Sequence, residues 1–184
     1  MTVAFQGVAG AYSEAAAHSR FGPDAHALGF ATFEAAVRAA AQGEADAAVI
    51  PVENSTTGTV AGAEEAVALG LRLGLVREAD VVLPIRHALV GLPGASLAGV
   101  RVVRSHPQAL AQVARWLAAN VPDARPEAAE DTAGSVRDLA ARPDATAAAV
   151  AHADAAARYG LAVLADGIED EADNATTFAV LLRP

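Results

Sequence analysis

The chain has 184 residues, with 13 basic and 22 acidic side chains and a formal net charge of −9. This acidic balance argues against a nucleic-acid partner, because nucleic-acid-binding proteins present clustered positive charge. The chain contains no Cys, and all 13 basic residues are Arg, which excludes disulfides, thiolate chemistry and a lysine Schiff base. The N-terminus lacks the basic and apolar segments of a signal peptide, and no apolar run reaches the roughly 18 residues of a membrane span. We therefore expect a cytoplasmic protein with no membrane partner.

Strand-like and helix-like patterns alternate along the chain, and this alternation predicts an α/β fold with mostly parallel strand pairing. In chain order, we predict strands at 3–6, 26–30, 47–52, 71–76, 81–90, 100–104, 127–130, 146–150, 161–168 and 176–182. We predict helices at 13–21, 33–42, 59–69 (closed by Gly70), 107–119, 132–141 and 153–159 (closed by Gly160).

Two stretches, 71–90 and 161–182, place strand after strand with no helix between them. They are natural places for the chain to cross between two α/β lobes. We predict that lobe one comprises 1–78 plus 169–184 and that lobe two comprises 79–168. A cleft between the lobes would hold the ligand, because pockets favour domain interfaces and the carboxyl ends of parallel strands.

The first polar motif is the strand–turn–helix segment Gly7–Ser13. Its glycines permit a tight turn, and Ser13 stands where a helix N-cap is expected. A helix N-terminus offers free backbone N–H groups and a positive dipole end, so Ser13 is a candidate anion-binding residue. The alternative is that Ser13 only caps its helix.

The second motif follows the predicted strand at 47–52 and consists of Glu53, Asn54 and Ser55. Polar residues at the carboxyl end of a strand, just before a helix, are placed to meet a ligand. The alternative is a loop with Asx-type capping.

Two further helix starts carry polar side chains. Ser105, His106 and Gln108 join a strand to a helix, and Thr132 opens a later helix. Ser105 and the first backbone amides of its helix could take a carboxylate, and His106 could titrate near neutrality. The alternative is again helix capping with a solvated His. At the start that carries Thr132, capping is the favoured interpretation. The remaining histidines have no metal-like spacing, although His87 could face the cleft.

Near the C-terminus the chain reads Asn174-Ala175-Thr176-Thr177-Phe178. Together with Pro51–Val60, Ser105–Gln112 and Gly7–Ser13, this segment resembles the signature blocks of the prephenate dehydratase family. The family's usual last block is Asn-x-Thr-Arg-Phe, so Thr177 stands where the family has Arg. Either residue 177 only braces its segment, or Arg86 or Arg104 compensates for the missing charge.

The resemblance implies two lobes similar to a type II periplasmic binding protein. It also implies conversion of prephenate to phenylpyruvate, with loss of water and CO2, in L-phenylalanine biosynthesis. It implies a homo-oligomer and neither cofactor nor metal. By the same resemblance, Thr176 is the catalytic residue. The residues that it implies for substrate binding are Ser13, Glu53, Asn54, Ser55, Ser105, His106, Gln108, Thr132, Asn174 and Phe178.

Three other functions remain open at this point. The chain could dehydrate arogenate, or decarboxylate prephenate without forming an aromatic ring. From a different class, it could be a non-catalytic protein that binds a small anion. The resemblance covers the whole chain but not the regulatory ACT domain that usually follows in bacteria, so we expect no phenylalanine feedback through such a domain.

Overall fold

The computed structural model describes all 184 residues. In chain order, the strands are β1 (Thr2–Gln6), β2 (His26–Phe30), β3 (Ala47–Asn54), β4 (Gly58–Thr59), β5 (Val76–Arg77), β6 (Val81–Pro84), β7 (Ala88–Gly91), β8 (Val102–Ser105), β9 (Arg125–Ala128), β10 (Ala147–Ala151), β11 (Ala162–Asp166) and β12 (Ala175–Leu182). The α-helices are α1 (Tyr12–Phe21), α2 (Phe33–Gln42), α3 (Ala63–Arg72), α4 (Pro107–Gln112), α5 (Ala114–Asn120), α6 (Thr132–Ala141) and α7 (Ala153–Arg158). No helix is both long enough and apolar enough to cross a membrane. The α/β fold class predicted from the sequence is confirmed.

The contacts divide the chain into two compact units. Unit 1 comprises Met1–Val8, Tyr12–Ile85 and Asp173–Pro184, and unit 2 comprises Ala9–Ala11 and Arg86–Ala172. The predicted lobes had their boundaries near residues 78 and 168. The structure places 79–85 in unit 1 because β6 pairs along β12, and it places 169–172 in unit 2 because Asp170 hydrogen-bonds to the start of α5.

Unit 1 holds a sheet of seven strands in the order β2-β1-β3-β12-β5, with β4 added to β3 and β6 added to β12. β1 is parallel to β2 and β3, whereas β12 is antiparallel to β3, β5 and β6. The expectation of mostly parallel pairing was wrong, because β12 arrives from the other unit and inserts into the sheet in the reverse direction.

Both faces of this sheet are covered by helices. On β1, Val3 belongs to the cluster against α1, and the next residue, Ala4, belongs to the cluster against α2 and α3. This alternation is what a strand buried on both faces requires. Gly70 does not end α3 as predicted. It lies inside the helix, where a β-carbon would come 2.7 Å from Leu181 Cδ1.

The start of α3 also differs from the prediction of a helix from residue 59. Gly58 and Thr59 form β4 and pair with the end of β3, and the helix begins only at Ala63. This pairing is a short local hairpin, of residue 53 with 59 and 54 with 58, and the helical pattern of the sequence does not reveal it.

Unit 2 holds a sheet of five strands in the order β11-β7-β10-β8-β9. β8 is parallel to β9 and β10, and β7 is antiparallel to β10 and β11. One core cluster packs the sheet against α4 and α5, and the other packs it against α6 and α7. The carboxyl ends of β8, β9 and β10 lead to α4, α6 and α7, so three helices begin at one edge of the sheet.

The single helix predicted at 107–119 is broken at Val113, whose φ of −122° leaves the helical region. The carboxylate of Asp170 accepts hydrogen bonds from the backbone N–H groups of Arg115 and Trp116, at 2.9 Å each. A distant residue thus caps a second helix inside the predicted one.

Candidate functional site

Pairing of β3 with β12 brings together two polar motifs that lie more than a hundred residues apart in the chain. Thr176 stands opposite Asn54, and Thr177 stands opposite Glu53. A bulge follows at Thr177/Phe178. The ends of both strands therefore present their polar side chains at one place in unit 1.

The carboxamide of Asn54 is the centre of this place. Its Oδ1 accepts from the backbone N–H and the hydroxyl of Thr56, at 3.1 and 2.6 Å, and from those of Thr57, at 3.2 Å each. Two of these partners are backbone N–H groups, which can only donate, so the atom that they approach must be the oxygen. The opposite end of the amide is therefore the NH2 group.

The NH2 group of Asn54 is directed at the start of β12. Nδ2 donates to Asn174 Oδ1 at 2.8 Å, to Thr176 Oγ1 at 3.0 Å and to the carbonyl of Ala175 at 3.2 Å. We call Asn54, Thr56, Thr57, Asn174 and Thr176 the amide cluster. Asn54 is only 6% exposed and its amide is fully engaged by protein groups.

Two hydrogen-bond donors of the amide cluster are left over. Asn174 presents its oxygen to Asn54, so its Nδ2 points away, and this buried atom has no hydrogen-bond partner. The Thr176 hydroxyl accepts from Asn54, and no protein acceptor takes its proton. A buried donor without an acceptor costs about 1–3 kcal/mol, which an acceptor oxygen on a ligand would offset.

Ser55 has a structural task beside this cluster. Its backbone N–H donates to the carbonyl of Ala175, and its Oγ accepts from the N–H of Ala175 and donates to the carbonyl of Asp173. The side chain thereby extends the β3–β12 ladder by imitating a backbone group. Its predicted contact with substrate stays a prediction.

Phe178 and Thr177 point to opposite faces of the unit 1 sheet, as neighbours on a strand do. Phe178 is 1% exposed and packs in the cluster against α1. On the other face, Glu53 is exposed and lines a cavity of about 390 Å³ together with Val52, Thr59, Glu64, Val67, Ala68, Leu71 and Arg77. Thr177, paired with Glu53, therefore lies on the face away from Thr176.

Ser13 lies inside the first turn of α1 and is buried, because the helix begins at Tyr12. It is not the N-cap that the sequence suggested. Its contact with an anion stays a prediction.

The predicted residues of unit 2 lie near one edge of its sheet but take structural partners. Ser105 is fully buried and donates from Oγ to the carbonyl of Val150 at 2.6 Å. His106 caps α4, where its Nδ1 accepts from the N–H of Gln108. Asp131, not Thr132, caps α6 by accepting from the N–H of Gly134. The structure thus shows the capping alternative at these helices, and the substrate contacts stay predictions.

A second polar group in unit 2 was not found from the sequence. Glu169 accepts from Arg86 Nη1 at 2.5 Å and from the N–H of His87 at 2.9 Å, and His87 Nε2 lies 2.8 Å from Gln112 Oε1. We call Arg86, His87, Gln112 and Glu169 the carboxylate network. Arg104 is likewise bound to a carboxylate, that of Glu127, at 2.7 Å. Both arginines considered as substitutes for a charge at position 177 are thus paired within unit 2.

Burial and hydrogen bonds shift the pKa values of His87 and Glu169 in this network. It lowers the pKa of His87, while the bond to Gln112 and the charge of Glu169 act in the opposite direction. Burial raises the pKa of Glu169, but hydrogen bonds from Arg86 and from the N–H of His87 outweigh it and leave that pKa below its usual value. The network therefore favours a neutral His87 beside an ionised Glu169.

Thr56 and Thr57 are the residues of the amide cluster that the sequence reasoning missed. A signal for them was present, because Asn54 is followed by three hydroxyl residues and then Gly58, and an Asn in such a loop is typical of an Asx turn. Gly58, with a φ of 78°, permits the loop to turn back.

Comparison with known proteins relates the chain to dehydratases of prephenate and arogenate. The chain matches the prephenate dehydratase family over residues 3–184. Arogenate dehydratase 5 of Arabidopsis thaliana, a chloroplastic protein, is 44% identical over 183 residues, which are 100% of this chain and 42% of that protein. The chain thus spans less than half the length of this relative.

Two solved structures align with the whole chain. Prephenate dehydratase from Arthrobacter aurescens, in complex with L-Phe, is 34% identical with a TM-score of 0.89, and 61% of that chain is covered. GqqA, described as a novel type of quorum quenching acylases, is 32% identical with a TM-score of 0.90, and 64% of it is covered.

Proposed function

The chain belongs to the prephenate dehydratase family, and on that premise we propose that it removes water and CO2 from prephenate, forming phenylpyruvate. The reaction breaks the bond between the ring and its carboxylate, and that electron pair enters the ring as a new double bond. The ring hydroxyl leaves with a proton as water. Aromatisation supplies the driving force, so the protein has to hold the substrate and assist departure of the hydroxyl.

The observation that carries this proposal is the pair of unused donors in the amide cluster. We infer that the Thr176 hydroxyl donates to the departing ring hydroxyl, and that Asn174 Nδ2 donates to a second substrate oxygen. A Thr hydroxyl is a weak acid, so Thr176 acts as a hydrogen-bond donor or proton relay. Neutral donors suit an acidic chain that must bind a dianion, since they attract an anion without a cation.

Arogenate is the second candidate substrate, and the names of relatives such as arogenate dehydratase 5 favour it. Arogenate carries an amino group where prephenate carries a ketone, and its dehydration yields phenylalanine directly. The donors of the amide cluster suit both, because both substrates share the ring hydroxyl and the ring carboxylate. The side chain that distinguishes them would be read elsewhere, and residues of unit 2 remain candidates for that.

The likeness to GqqA raises acyl transfer as an alternative chemistry. A Thr nucleophile requires a neighbouring base that removes its proton. The partner of Thr176 Oγ1 is the amide NH2 of Asn54, a donor that cannot accept a proton. The geometry therefore favours hydrogen-bond donation by Thr176 over nucleophilic attack.

The test is to incubate the purified chain with prephenate and, separately, with arogenate at neutral pH, against controls without enzyme. Mass and ultraviolet spectrum identify the product. Phenylpyruvate or phenylalanine is the expected result and identifies the substrate. A non-aromatic keto acid that retains the ring hydroxyl would indicate decarboxylation alone. Unchanged substrates that bind in calorimetry would indicate a non-catalytic binding protein.

A homo-oligomer and a ligand cleft shared by the units stay predictions.

A further inference from the structure

We propose that the outer face of α3 is an interface between two copies of this chain, packed antiparallel about a two-fold axis at Ala68. This face consists of Glu64, Glu65, Ala68, Leu71 and Arg72, and we call it the α3 face. The inference goes beyond the proposed reaction, because it concerns a surface of unit 1 that includes no residue of the amide cluster.

The first step is the division of α3 into a buried and an exposed side. The buried side packs toward the unit 1 sheet and consists of Ala63, Ala66, Val67 and Gly70. On the α3 face, the four larger side chains are exposed and Ala68 is half-buried. Leu71 is 49% exposed and Leu73, just past the helix, is 41% exposed, so two large apolar side chains meet solvent at this end of α3.

The second step is that the charges of the α3 face have no partner within the chain. Glu65 stands in the first turn of α3 and Arg72 in its last turn. Ion pairs within a helix join residues three or four apart, and the residues at those spacings from both are apolar. No ion pair or hydrogen bond of the folded chain involves the side chains of Glu64, Glu65 or Arg72. These charges are therefore available to a second molecule.

The third step is the spacing, which makes the α3 face complementary to itself. Glu65 and Arg72 are seven residues apart, or two helical turns, so they lie on one flank of α3 with Ala68 between them. When two copies of α3 pack antiparallel, the same flanks meet with their ends exchanged. Glu65 of each copy then faces Arg72 of the other, which forms two pairs of opposite charge. On the other flank, Leu71 packs against the aliphatic part of Glu64 of the second copy.

Ala68 lets the two helices approach closely at the axis. Helices pack at interaxial distances of about 8–10 Å, and small side chains at the contact favour the lower values. The helix dipole accounts for an acid at the start of α3 and a base at its end. It does not account for the common flank of Glu65 and Arg72, for the small residue between them or for the exposed Leu71. A parallel pair of helices would bring like charges together, so the antiparallel arrangement is favoured.

The association is expected to be weak. α3 has ten residues and is about 15 Å long, and a contact of that size lies at the small end of specific interfaces. Both chains are acidic, so salt is needed to screen their repulsion. We expect a Kd on the order of 10 μM in about 0.15 M salt.

The main experiment is sedimentation equilibrium of the chain at concentrations from about 5 to about 500 μM, with two charge reversals. Glu65→Arg and Arg72→Glu each turn both pairs into like charges, and we expect each to raise the Kd at least about tenfold. An equimolar mixture of the two variants forms heterodimers in which both pairs are again opposite. We expect this mixture to associate with a Kd within about threefold of the parent value. Circular dichroism checks that each variant is folded.

Two matched controls carry the same charge changes at exposed positions outside α3. Glu44→Arg and Arg142→Glu should leave the Kd within about twofold of the parent value. Mixing cannot repair a helix that a reversed charge has destabilised, so recovery in the mixture separates an interface from an effect on folding. A parent chain that is monomeric at about 500 μM, controls as weak as the α3 variants, or a mixture without recovery would each overturn the proposal.

A cross-link tests the position of the axis, and the absence of Cys from the chain makes it specific. At helix separations of about 9–10 Å, the two α-carbons at position 68 lie roughly 4.4–5.4 Å apart, within the reach of a disulfide. We expect Ala68→Cys to form a disulfide-linked dimer under mild oxidation, and Ala141→Cys, at the exposed end of α6, to form little. Equal yields from the two variants would contradict an axis at Ala68. Neither experiment uses substrate, so a failure of the proposed reaction leaves both results interpretable.

Discussion

The amide cluster of unit 1 and the carboxylate network of unit 2 solve the same structural problem with different chemistry. Each ties together chain segments more than eighty residues apart, Asn54 to Thr176 in one and Arg86 to Glu169 in the other. The amide cluster contains no charged group and leaves donors without acceptors. The carboxylate network contains opposite charges that bind each other.

The difference follows from what burial costs. A buried charge without a partner costs several kcal/mol, so a charged network must close on itself to exist. A buried amide or hydroxyl donor without a partner costs about 1–3 kcal/mol, which a fold can sustain at a site where a ligand will bind. We therefore expect substitutions in the amide cluster to change turnover, and substitutions in the carboxylate network to change stability.

The largest effect is expected at Thr176. Thr176→Val keeps the shape of the side chain and removes the donor, and we expect kcat to fall about 10²–10³-fold, as when an oxyanion donor is removed. Steady-state kinetics give kcat, and calorimetry gives substrate affinity, which should change little. Thr176→Ser is the matched control and should retain most of the activity. Equal losses of turnover and binding would show that Thr176 serves binding in the ground state.

A smaller effect is expected at Glu169, whose side chain is 3% exposed. Glu169→Gln removes the ion pair with Arg86 and one strong acceptor for the N–H of His87. Since Arg86 is half exposed, solvent weakens the ion pair, and we expect a loss of about 1–2 kcal/mol in the free energy of unfolding. Urea denaturation measures it, with kcat of the folded variant unchanged.

The control for this substitution lies two residues further along the chain. Glu171 is exposed and pairs with Arg115, so Glu171→Gln should change stability by less than about 0.5 kcal/mol. If Glu169→Gln instead lowered kcat in a fully folded protein, the assignment of the carboxylate network to stability alone would be wrong.

His87 should make stability depend on pH. Burial lowers its pKa below the usual value of 6.5, so below about pH 6.5 the unfolded chain binds a proton that the folded chain does not. Its contribution to stability is therefore complete above pH 6.5, declines as the pH falls, and levels off below the folded pKa. Urea midpoints between pH 8 and 5 test this. His87→Gln should flatten the decline, whereas His26→Gln, at an exposed position, should leave it intact.

Local sequence signals predicted those elements whose ends are set by neighbouring residues. The bounds of β2, α2 and α6 agree with the prediction to the residue, and Thr32 and Asp131 cap the two helices through their own side chains. The break between α4 and α5 and the antiparallel insertion of β12 depend on segments far away in the chain. No periodicity of the local sequence could reveal either.

For the candidate site, the sequence likewise predicted the residues but not their hydrogen-bond partners. The motifs located Asn54, Asn174 and Thr176, but not the fact that Asn54 is saturated by protein groups while Asn174 is not. That distinction depends on which atoms meet across the β3–β12 ladder. The same ladder bears on the departure in the family's last block, because it places Thr177 opposite Glu53.

The smallest effect is expected at Thr177, which stands where the family has Arg. Opposite residues of an antiparallel pair are close enough for side chains to interact, so Thr177→Arg should form an ion pair with Glu53. Because Glu53 is exposed, this pair adds about 0–1 kcal/mol to stability. A double-mutant cycle with Glu53→Gln isolates the pair, and Thr177→Gln controls for side-chain length. Because residue 177 faces away from Thr176, KM should change less than about twofold. A several-fold lower KM that persists with Glu53→Gln would mean that the Arg reaches substrate, and the bracing interpretation of position 177 would fail.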